Sequence, residues 1–214
     1  MKMNKFAAEV HQNAVEHGWW DEERSFGEII ALCHSELSEA LEEYRANRGL
    51  VWYACTEGDQ EHPCRPEDEY DCQKFGKEVE CEYRSKKPEG IAVELADCII
   101  RILDWFGKDG ADTDDLLEDV RKHRSGYTGI HWWMLSSKTA SFGEFVSALH
   151  GLLSNALYLG CETCGKRSAN QRLALVVACI IKWAEDNGVD MEKILDIKHE
   201  YNKGRPYRHG GKAL

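Results

Sequence analysis

The chain has 214 residues, of which 43% are hydrophobic and 30% are charged, and its formal net charge at pH 7 is −11. This length suits one large domain or two small ones with a substantial core. The excess of acidic residues argues against binding along long nucleic acid, because no extended basic surface is available. No apolar run approaches the length of a membrane span and the N-terminus has no signal-peptide core, so we expect a cytoplasmic protein that binds no membrane and whose cysteines are reduced.

The first elements in chain order are two predicted helices. The N-terminal one is amphipathic, with an apolar stripe through Phe6, Val10, Ala14 and Val15. The next begins at Ser25, because Ser-Phe-Gly-Glu is a capping-box pattern.

The second helix carries two carboxylates, Glu36 and Glu39, which lie three residues apart and therefore on one face. Glu36 interrupts an apolar stripe that should be buried: Ile29, Leu32, Cys33, Leu37, Ala40 and Leu41. A later helix carries a matching pair, Glu94 and Asp97, followed by Arg101, on an otherwise apolar surface. Either pair alone is typical of a solvated helix face, but two pairs in apolar surroundings indicate a shared site.

A divalent cation is the chemistry that such a set of acids favours. Four carboxylates inside a helical bundle would repel one another and lose their hydration. Mg²⁺, or alternatively Mn²⁺, prefers oxygen ligands and would remove both problems. A ferritin-type di-iron site is the competing interpretation, but it uses Glu-x-x-His pairs, which neither helix has.

Residues 49–89, between the two acidic helices, form a polar segment with three of the four prolines and no sustained period. We therefore expect a loop-rich insertion. Its cysteines follow one another at steps of nine, eight and nine residues: Cys55, Cys64, Cys72 and Cys81. Four thiolates could hold a structural zinc ion, although the short Cys-x2-Cys spacing of zinc sites is missing, so a plain loop is the alternative.

The sequence also contains an internal similarity. Residues 25–41 match residues 141–157 at 9 of 17 positions, and residues 95–112 match residues 173–190 at 6 of 18. The order of the segments is kept, which predicts two copies of one helical unit, residues 1–135 and 136–214. Similar amphipathic helices without a duplication are the alternative.

The second copy lacks the four acids and ends differently. Leu152, Asn155, Arg172 and Leu175 stand where the first copy has its carboxylates, so the second copy cannot hold the cation. Its last helix instead carries a cationic series: Lys198, Asn202, Arg205 and, beyond it, Arg208. We infer one composite site per chain, with acids from the first copy and cations from the second; a solvated helix C-terminus is the alternative for the cations.

These motifs resemble the all-α nucleoside triphosphate pyrophosphohydrolases, the superfamily of MazG, dCTP pyrophosphatase and the dimeric dUTPases. The resemblance rests on ExxE and ExxD, on HGWWDEERSFGE (17–28) and on KHEYNKGRPYRHGGK (198–212). It covers most of the chain apart from residues 49–89 and 125–138. It implies an all-α bundle that binds Mg²⁺ through the four acids and cleaves a nucleoside triphosphate, such as dUTP or dCTP, into the monophosphate and pyrophosphate.

The resemblance also implies roles for individual residues. Glu36 and Glu39 are expected to be catalytic as well as metal-binding, with Glu39 as the general base. The phosphate contacts are expected from the cationic residues and one amide: Arg101, Lys198, Asn202, Arg205 and Arg208. Trp19 or Trp20 is expected to stack on the base, or else to be buried in a packing corner. The chain is expected to work as a monomer or a homodimer; the alternative is an inactive relative that binds a nucleotide or a partner protein.

Other residues are expected to be structural. His34 and His150 occupy equivalent positions in the two copies and should pack together. Glu43 lies one turn beyond Glu39 and either reaches the acid cluster or lies at an exposed helix end. Three cysteines lie on apolar helices and should belong to the core: Cys33, Cys98 and Cys179. Trp132 and Trp133, in the connector between the copies, should pack the copies together or cover the site.

Overall fold

The computed structural model describes residues 2–57, 60–64, 84–127, 140–160 and 165–211 of the chain. This part of the molecule is mostly α-helical, which confirms the predicted all-α class. The helices are α1 (Met3–Glu16), α2 (Phe26–Arg45), α3 (Ile91–Asp109), α4 (Thr113–Tyr127), α5 (Phe142–Leu159), α6 (Lys166–Asp186), α7 (Met191–Lys203) and the short α8 (Arg208–Gly211). A search of these described residues found no helix with the length and apolarity needed to cross a bilayer.

The two Ser-Phe-Gly-Glu motifs begin helices as predicted. The Ser25 hydroxyl accepts the Glu28 backbone N–H at 3.2 Å, and the Glu28 carboxylate accepts the Ser25 N–H at 2.7 Å. Ser141 and Glu144 form the same reciprocal pair at 3.3 and 2.7 Å. Each box gives partners to N–H groups that the first helical turn leaves unpaired, so the starts of α2 and α5 are fixed locally.

Side chains from both predicted copies form one continuous apolar core. Helix α2 packs against α3 and α5, while α3 also packs against α1, α6 and α7. The largest fully buried side chains come from both halves of the chain: Phe106, Ile99, Ile102, Leu103, Phe145, Leu149 and Leu153. Burial of each such side chain contributes about 1.5–3 kcal/mol relative to exposure, so the core holds the acidic helices rigidly in place.

Helix α1 follows the predicted stripe with one exception. Phe6, Val10 and Ala14 are buried, but Val15 is 43% exposed, so its assignment to the buried stripe was wrong. Val15 directly follows Ala14, and a neighbouring residue lies about 100° further around a helix, off the apolar face. The start of α1 is tied to α4 because the Asp114 carboxylate accepts the Met3 N–H at 3.0 Å.

The insertion contains strands, so the expectation of a loop-rich segment was wrong for its described residues. Strands β1 (Trp52–Glu57), β2 (Gln60–Cys64) and β3 (Arg84–Glu89) form an antiparallel sheet in the order β2-β1-β3. Pro63 and Pro88 lie on the two outer strands, where a missing backbone N–H is tolerated. Because proline normally argues against a strand, these two residues concealed the sheet in the sequence.

The four predicted zinc ligands lie in the insertion, two of them on its strands. Cys55 and Cys64 lie on β1 and β2, where Cys55 pairs with His62 and Cys64 with Tyr53 in the strand register. The side chains of both cysteines, and the whole of Cys72 and Cys81, lie outside the described residues, so zinc stays a prediction. Trp132 and Trp133 also lie outside the described residues, so their packing role stays a prediction. In contrast, Cys33, Cys98 and Cys179 are buried core thiols, as predicted.

The predicted contact between His34 and His150 is present where α2 crosses α5. The two imidazole rings are stacked, with centroids 4.9 Å apart and planes 9° from parallel. Their Nδ1 atoms lie 2.6 Å apart, so one ring donates and the other accepts a hydrogen bond. Burial lowers the pKa of both imidazoles, which favours their neutral forms in this helix-packing contact.

Candidate functional site

Helices α2 and α3 bring three acids together. Carboxylate oxygens of Glu36, Glu39 and Glu94 lie within 4.8 Å of one another, an arrangement that could hold a metal ion. Gly90, which precedes α3, has φ of +112°, and a Cβ added there would lie 2.7 Å from the Leu50 carbonyl oxygen. Only glycine suits this backbone conformation and this close approach, so Gly90 sets where α3 begins and where Glu94 lies.

Two of the three acids are buried, and this changes their ionisation. Glu36 is 7% exposed and Glu94 is 5% exposed, whereas Glu39 is exposed. Burial, together with the neighbouring carboxylates, raises the pKa of Glu94 to about 8. Burial likewise raises the pKa of Glu36 to about 7, against the opposing effect of Arg101. A divalent cation would add positive charge beside these carboxylates, and an all-oxygen donor set suits Mg²⁺ or Mn²⁺.

The fourth predicted ligand, Asp97, is engaged differently. Its Oδ2 atom lies 2.7 Å from Nζ of Lys198, a side chain that is only 2% exposed. Burial by itself lowers the pKa of the Lys198 ammonium, but the adjacent Asp97 carboxylate raises it above its ordinary value. Lys198 therefore carries its charge in the core and neutralises Asp97, so three of the four predicted acids are gathered and the fourth has a cationic partner.

Arg101 also pairs with an acid of the cluster. Its Nε donates to Oε1 of Glu36 at 3.1 Å. Burial alone lowers the pKa of this guanidinium, but Glu36 and Asp97 raise it. Arg101 was predicted to bind phosphate; the structure shows it paired with Glu36, and phosphate binding stays a prediction.

A small pocket lies next to this cluster, between α1, α3 and α7. Its volume is about 60 Å³. Its wall includes five predicted site residues: Trp19, Asp97, Arg101, Asn202 and Arg205. It also includes residues that the sequence did not single out: Asn13, Ile100, Asp104 and His199. Trp19, Asn202 and Arg205, which were predicted from distant parts of the sequence, therefore meet at one place.

Two polar atoms in this wall are buried without a hydrogen bond from any described residue. They are Nε2 of His199 and Oδ1 of Asn202. His199 is 3% exposed, and its ring packs edge-on against Phe6 at 5.3 Å. Asn202 was predicted as an uncharged donor to phosphate. The donor of that amide is Nδ2, whereas the buried Oδ1 accepts hydrogen bonds, so phosphate binding by Asn202 stays a prediction.

Asp104 is a site residue that sequence reasoning missed. It is 6% exposed and accepts hydrogen bonds from Nε1 of Trp20 at 2.9 Å and from Nδ1 of His11 at 2.8 Å. The signal was available, because Glu94, Asp97, Arg101 and Asp104 follow one another at steps of three, four and three along one face of α3. Trp20, predicted as a base contact, thus has its indole N–H engaged with Asp104.

His199 was also missed, although it lies three residues before Asn202 on the same face of α7. Lys198, Asn202 and Arg205 were predicted because cationic and amide groups bind phosphate, and a histidine belongs to neither class. The position of His199 within that series was the available signal.

Arg208 and Glu43 make structural contacts. Arg208 donates from Nε to the Gly18 carbonyl at 3.1 Å and lies 3.5 Å from the Glu22 carboxylate, so it fastens the end of the described chain to the segment after α1. Glu43 accepts a hydrogen bond from Nε1 of Trp52 at 2.7 Å and thereby joins α2 to β1. The alternative that Glu43 lies at an exposed helix end was wrong, since its side chain is 14% exposed.

The positions that the predicted repeat makes equivalent to the acids carry no comparable acid cluster among the described residues. Leu152 and Leu175, which the alignment matches to Glu36 and Asp97, are 2% and 1% exposed and belong to the apolar core. These two positions therefore contribute to packing.

Comparison of the chain with models of protein families, with curated proteins and with solved structures found no match.

Proposed function

We propose that the protein is a Mg²⁺-dependent nucleoside triphosphate pyrophosphohydrolase, acting on free nucleotides in the cytoplasm and releasing a nucleoside monophosphate and pyrophosphate. The observation that carries the proposal is the buried acid cluster: three carboxylates within 4.8 Å of one another, two of them almost without solvent. Buried acids that are close together are costly unless they serve a cation or a proton.

The tandem arrangement of a MazG-type bundle is part of the same proposal. Both Ser-Phe-Gly-Glu motifs form capping boxes, and the equivalent His34 and His150 stack across α2 and α5. These observations support a duplicated helical unit whose second copy lost the acids.

The residues would share the reaction as follows. Glu36, Glu39 and Glu94 would hold the cation, which when bound polarises phosphate oxygens and lowers the pKa of water. Glu39 is the exposed member and accepts a hydrogen bond from the Ser35 hydroxyl at 3.2 Å, so it can take the proton of an attacking water. That water oxygen bonds to the α-phosphorus while the bond from the α-phosphorus to the bridging oxygen breaks, and pyrophosphate leaves with the bond electrons.

Arg101 of α3, Lys198 of α7 and Arg205, two residues beyond the end of α7, would stabilise the negative charge of the leaving group. Arg205 lines the pocket and lies 5.8 Å above the ring of Tyr201, which limits the directions its guanidinium can take. Lys198 and Arg101 already lie beside the acids, and an arriving triphosphate would compete with Asp97 and Glu36 for them.

A second candidate is an inactive relative that binds a nucleotide or a partner protein. The pairing of Asp97 with Lys198 and of Glu36 with Arg101 favours it, because these two acids then have internal counter-ions and need no metal.

Pyrophosphate release from a panel of deoxynucleoside triphosphates, with Mg²⁺ and with EDTA, distinguishes the two candidates. We expect Mg²⁺-dependent turnover that Glu39→Gln reduces by at least about a hundredfold, as loss of a general base does. Glu42→Gln is the matched control, since Glu42 is an exposed acid of the same helix that pairs with Arg45. Absence of turnover on every nucleotide would leave the binding module as the function.

A further inference from the structure

Arg24, in the loop between α1 and α2, is a buried cation without an anionic partner. It is 7% exposed, yet its guanidinium forms no hydrogen bond and no ion pair with any described residue. Its contact is with an aromatic face, since Cζ lies 4.9 Å from the centroid of the Trp19 ring. Arginine is rarely buried unless an acceptor pairs with its N–H donors. Arg24 therefore has donors to offer to an acceptor from outside the chain.

The charges around Arg24 leave it in an unfavourable state. Burial and the positive charge of Arg101 lower the pKa of the Arg24 guanidinium. Asp104 and Glu28 act in the opposite direction, but neither forms an ion pair with Arg24. Both acids are engaged elsewhere, Glu28 in the capping box of α2 and Asp104 with the indole N–H of Trp20. A bound anion would relieve both the desolvation and the repulsion between the two arginines.

Two more arginines with unused donors lie at the same place. Arg101 and Arg205 line the pocket between α1, α3 and α7, and so does Trp19, on whose ring Arg24 lies. Arg101 bonds to Glu36 through Nε, and its two terminal nitrogens donate to no described residue. The side chain of Arg205 likewise forms no hydrogen bond or ion pair with a described residue. Three guanidinium groups from distant parts of the chain therefore lie on or beside one pocket wall.

The donors of these arginines are open to a ligand. No nitrogen of the three side chains is among the sealed and unpaired polar atoms of the described residues. His199 Nε2 and Asn202 Oδ1, in the same wall, are sealed and can make no contact with a bound molecule. The side chain of Arg101 is 26% exposed, and Arg205 is half-buried. Polar contacts to a ligand at this wall are thus left to the arginines.

The number and kind of these donors define the ligand. Three positive charges are poorly matched by a single carboxylate and well matched by a multiply charged oxyanion. The planar fork of arginine fits the oxygen atoms of a phosphate group.

We propose that Arg24, together with Arg101 and Arg205, binds a phosphate group beside Trp19. The inference goes beyond the proposed function, because it assigns a binding role to Arg24 and holds whether or not the chain hydrolyses a nucleotide. The phosphate group belongs either to a free orthophosphate ion or to a polyphosphate. Because Arg101 also contacts Glu36, a polyphosphate could extend from the arginines to a cation at the acids.

Calorimetric titration with inorganic pyrophosphate and with orthophosphate, each in EDTA and in Mg²⁺, tests the assignment. Arg24→Met removes the charge and the donors but keeps an apolar side chain against Trp19. Arg24→Lys keeps a positive charge without the fork. Arg167→Met is the matched control, because Arg167 also carries one positive charge and its side chain is 70% exposed in a surface pair with Asp115.

We expect the wild type to bind pyrophosphate and Arg24→Met to bind it about tenfold more weakly or less, the effect of one charge-assisted hydrogen bond. Arg24→Lys should lie between the two, and Arg167→Met should stay within about twofold of the wild type. Without any anion, Arg24→Met should have a Tm equal to or above that of the wild type, because it removes a buried charge that no acid neutralises. A purely structural arginine would give the opposite change in Tm.

The outcomes that contradict the assignment are distinct. Unchanged pyrophosphate affinity in Arg24→Met, a lower Tm of that variant without anion, or no binding of either anion by the wild type would each overturn it. Tighter binding of pyrophosphate in Mg²⁺ than in EDTA supports a polyphosphate shared with the acid cluster, whereas equally tight orthophosphate binding in both conditions supports the free ion.

The same measurements separate this inference from the hydrolase proposal. Turnover of dNTPs together with unchanged pyrophosphate affinity in Arg24→Met keeps the hydrolase and rejects the role of Arg24. Selective loss of pyrophosphate affinity in Arg24→Met without turnover of any nucleotide keeps the anion site and rejects the hydrolase.

Discussion

Replacing Glu94 by glutamine should stabilise the metal-free protein at neutral pH and abolish its response to Mg²⁺. Glu94 is 5% exposed, and its pKa is raised from the ordinary 4.5 to about 8, first by burial and then by Asp97. The folded state thus binds the proton more tightly than the unfolded state does. The stability from the protonated carboxyl is complete below pH 4.5 and decreases as the pH rises from 4.5 to 8.

The size of the effect follows from these pKa values. One pH unit within this window corresponds to about 1.4 kcal/mol, so the wild type should lose about 3 kcal/mol between pH 4.5 and pH 7 through this group alone. Glutamine has nearly the same shape and does not titrate. The free energy of unfolding of Glu94→Gln should therefore exceed that of the wild type by about 3 kcal/mol at pH 7 and by little at pH 4.

Urea unfolding at several pH values, with EDTA or with Mg²⁺, measures this difference. Mg²⁺ at a hundredfold excess over its Kd should stabilise the wild type by about 2.7 kcal/mol and the variant by much less. Glu39→Gln is the control, because Glu39 is exposed: it should lose the Mg²⁺ response without gaining stability at pH 7. A lower stability of Glu94→Gln than of the wild type at pH 7 in EDTA would refute the reasoning.

Three further predictions concern packing and charge. Lys198→Met should lower the free energy of unfolding in urea by about 3–5 kcal/mol, because it leaves Asp97 without its partner at 2.7 Å. Adding Asp97→Asn to this variant should restore part of the loss, and purely additive effects of the two substitutions would contradict the pairing. Gly107→Ala should lower Tm, since a Cβ there would lie 2.7 Å from the Ala7 carbonyl oxygen of α1. Gly143→Ala is its control, because a Cβ there would have nothing within 4 Å, and it should raise the free energy of unfolding by about 0.5–1 kcal/mol. Ser25→Ala and Ser141→Ala should each cost about 1 kcal/mol in urea unfolding, because each removes a capping box, and an unchanged midpoint in either would show that its box adds nothing.

The sequence allowed the helices to be predicted because their determinants are local. The capping boxes at Ser25 and Ser141 lie within four residues, and the apolar stripes follow the 3.6-residue period that any amphipathic helix requires. The sheet was missed for a related reason. Its strands carry Pro63 and Pro88, which local rules count against a strand, and only the outer position of β2 and β3 makes them acceptable.

In the candidate site, too, the sequence predicted the local features and missed those that depend on distant segments. Spacing along α2 and α3 determined that Glu36 shares a face with Glu39 and that Glu94 shares one with Asp97. It could not determine that Lys198, a hundred residues further along the chain, would reach Asp97, nor that His199 would be left with an unpaired nitrogen. Such facts depend on how α7 lies against α3, which is decided by the packing of the whole core.

The sequence by itself therefore determined the helical class, the starts of α2 and α5 and the faces that carry the acids, since each depends on residues within about a turn of one another. The tertiary structure alone decided which acids converge, which cations neutralise them and which polar atoms remain without partners. Charge pairing and burial arise between segments that are distant in the chain, and their energies depend on distances and solvent exposure that no local pattern encodes.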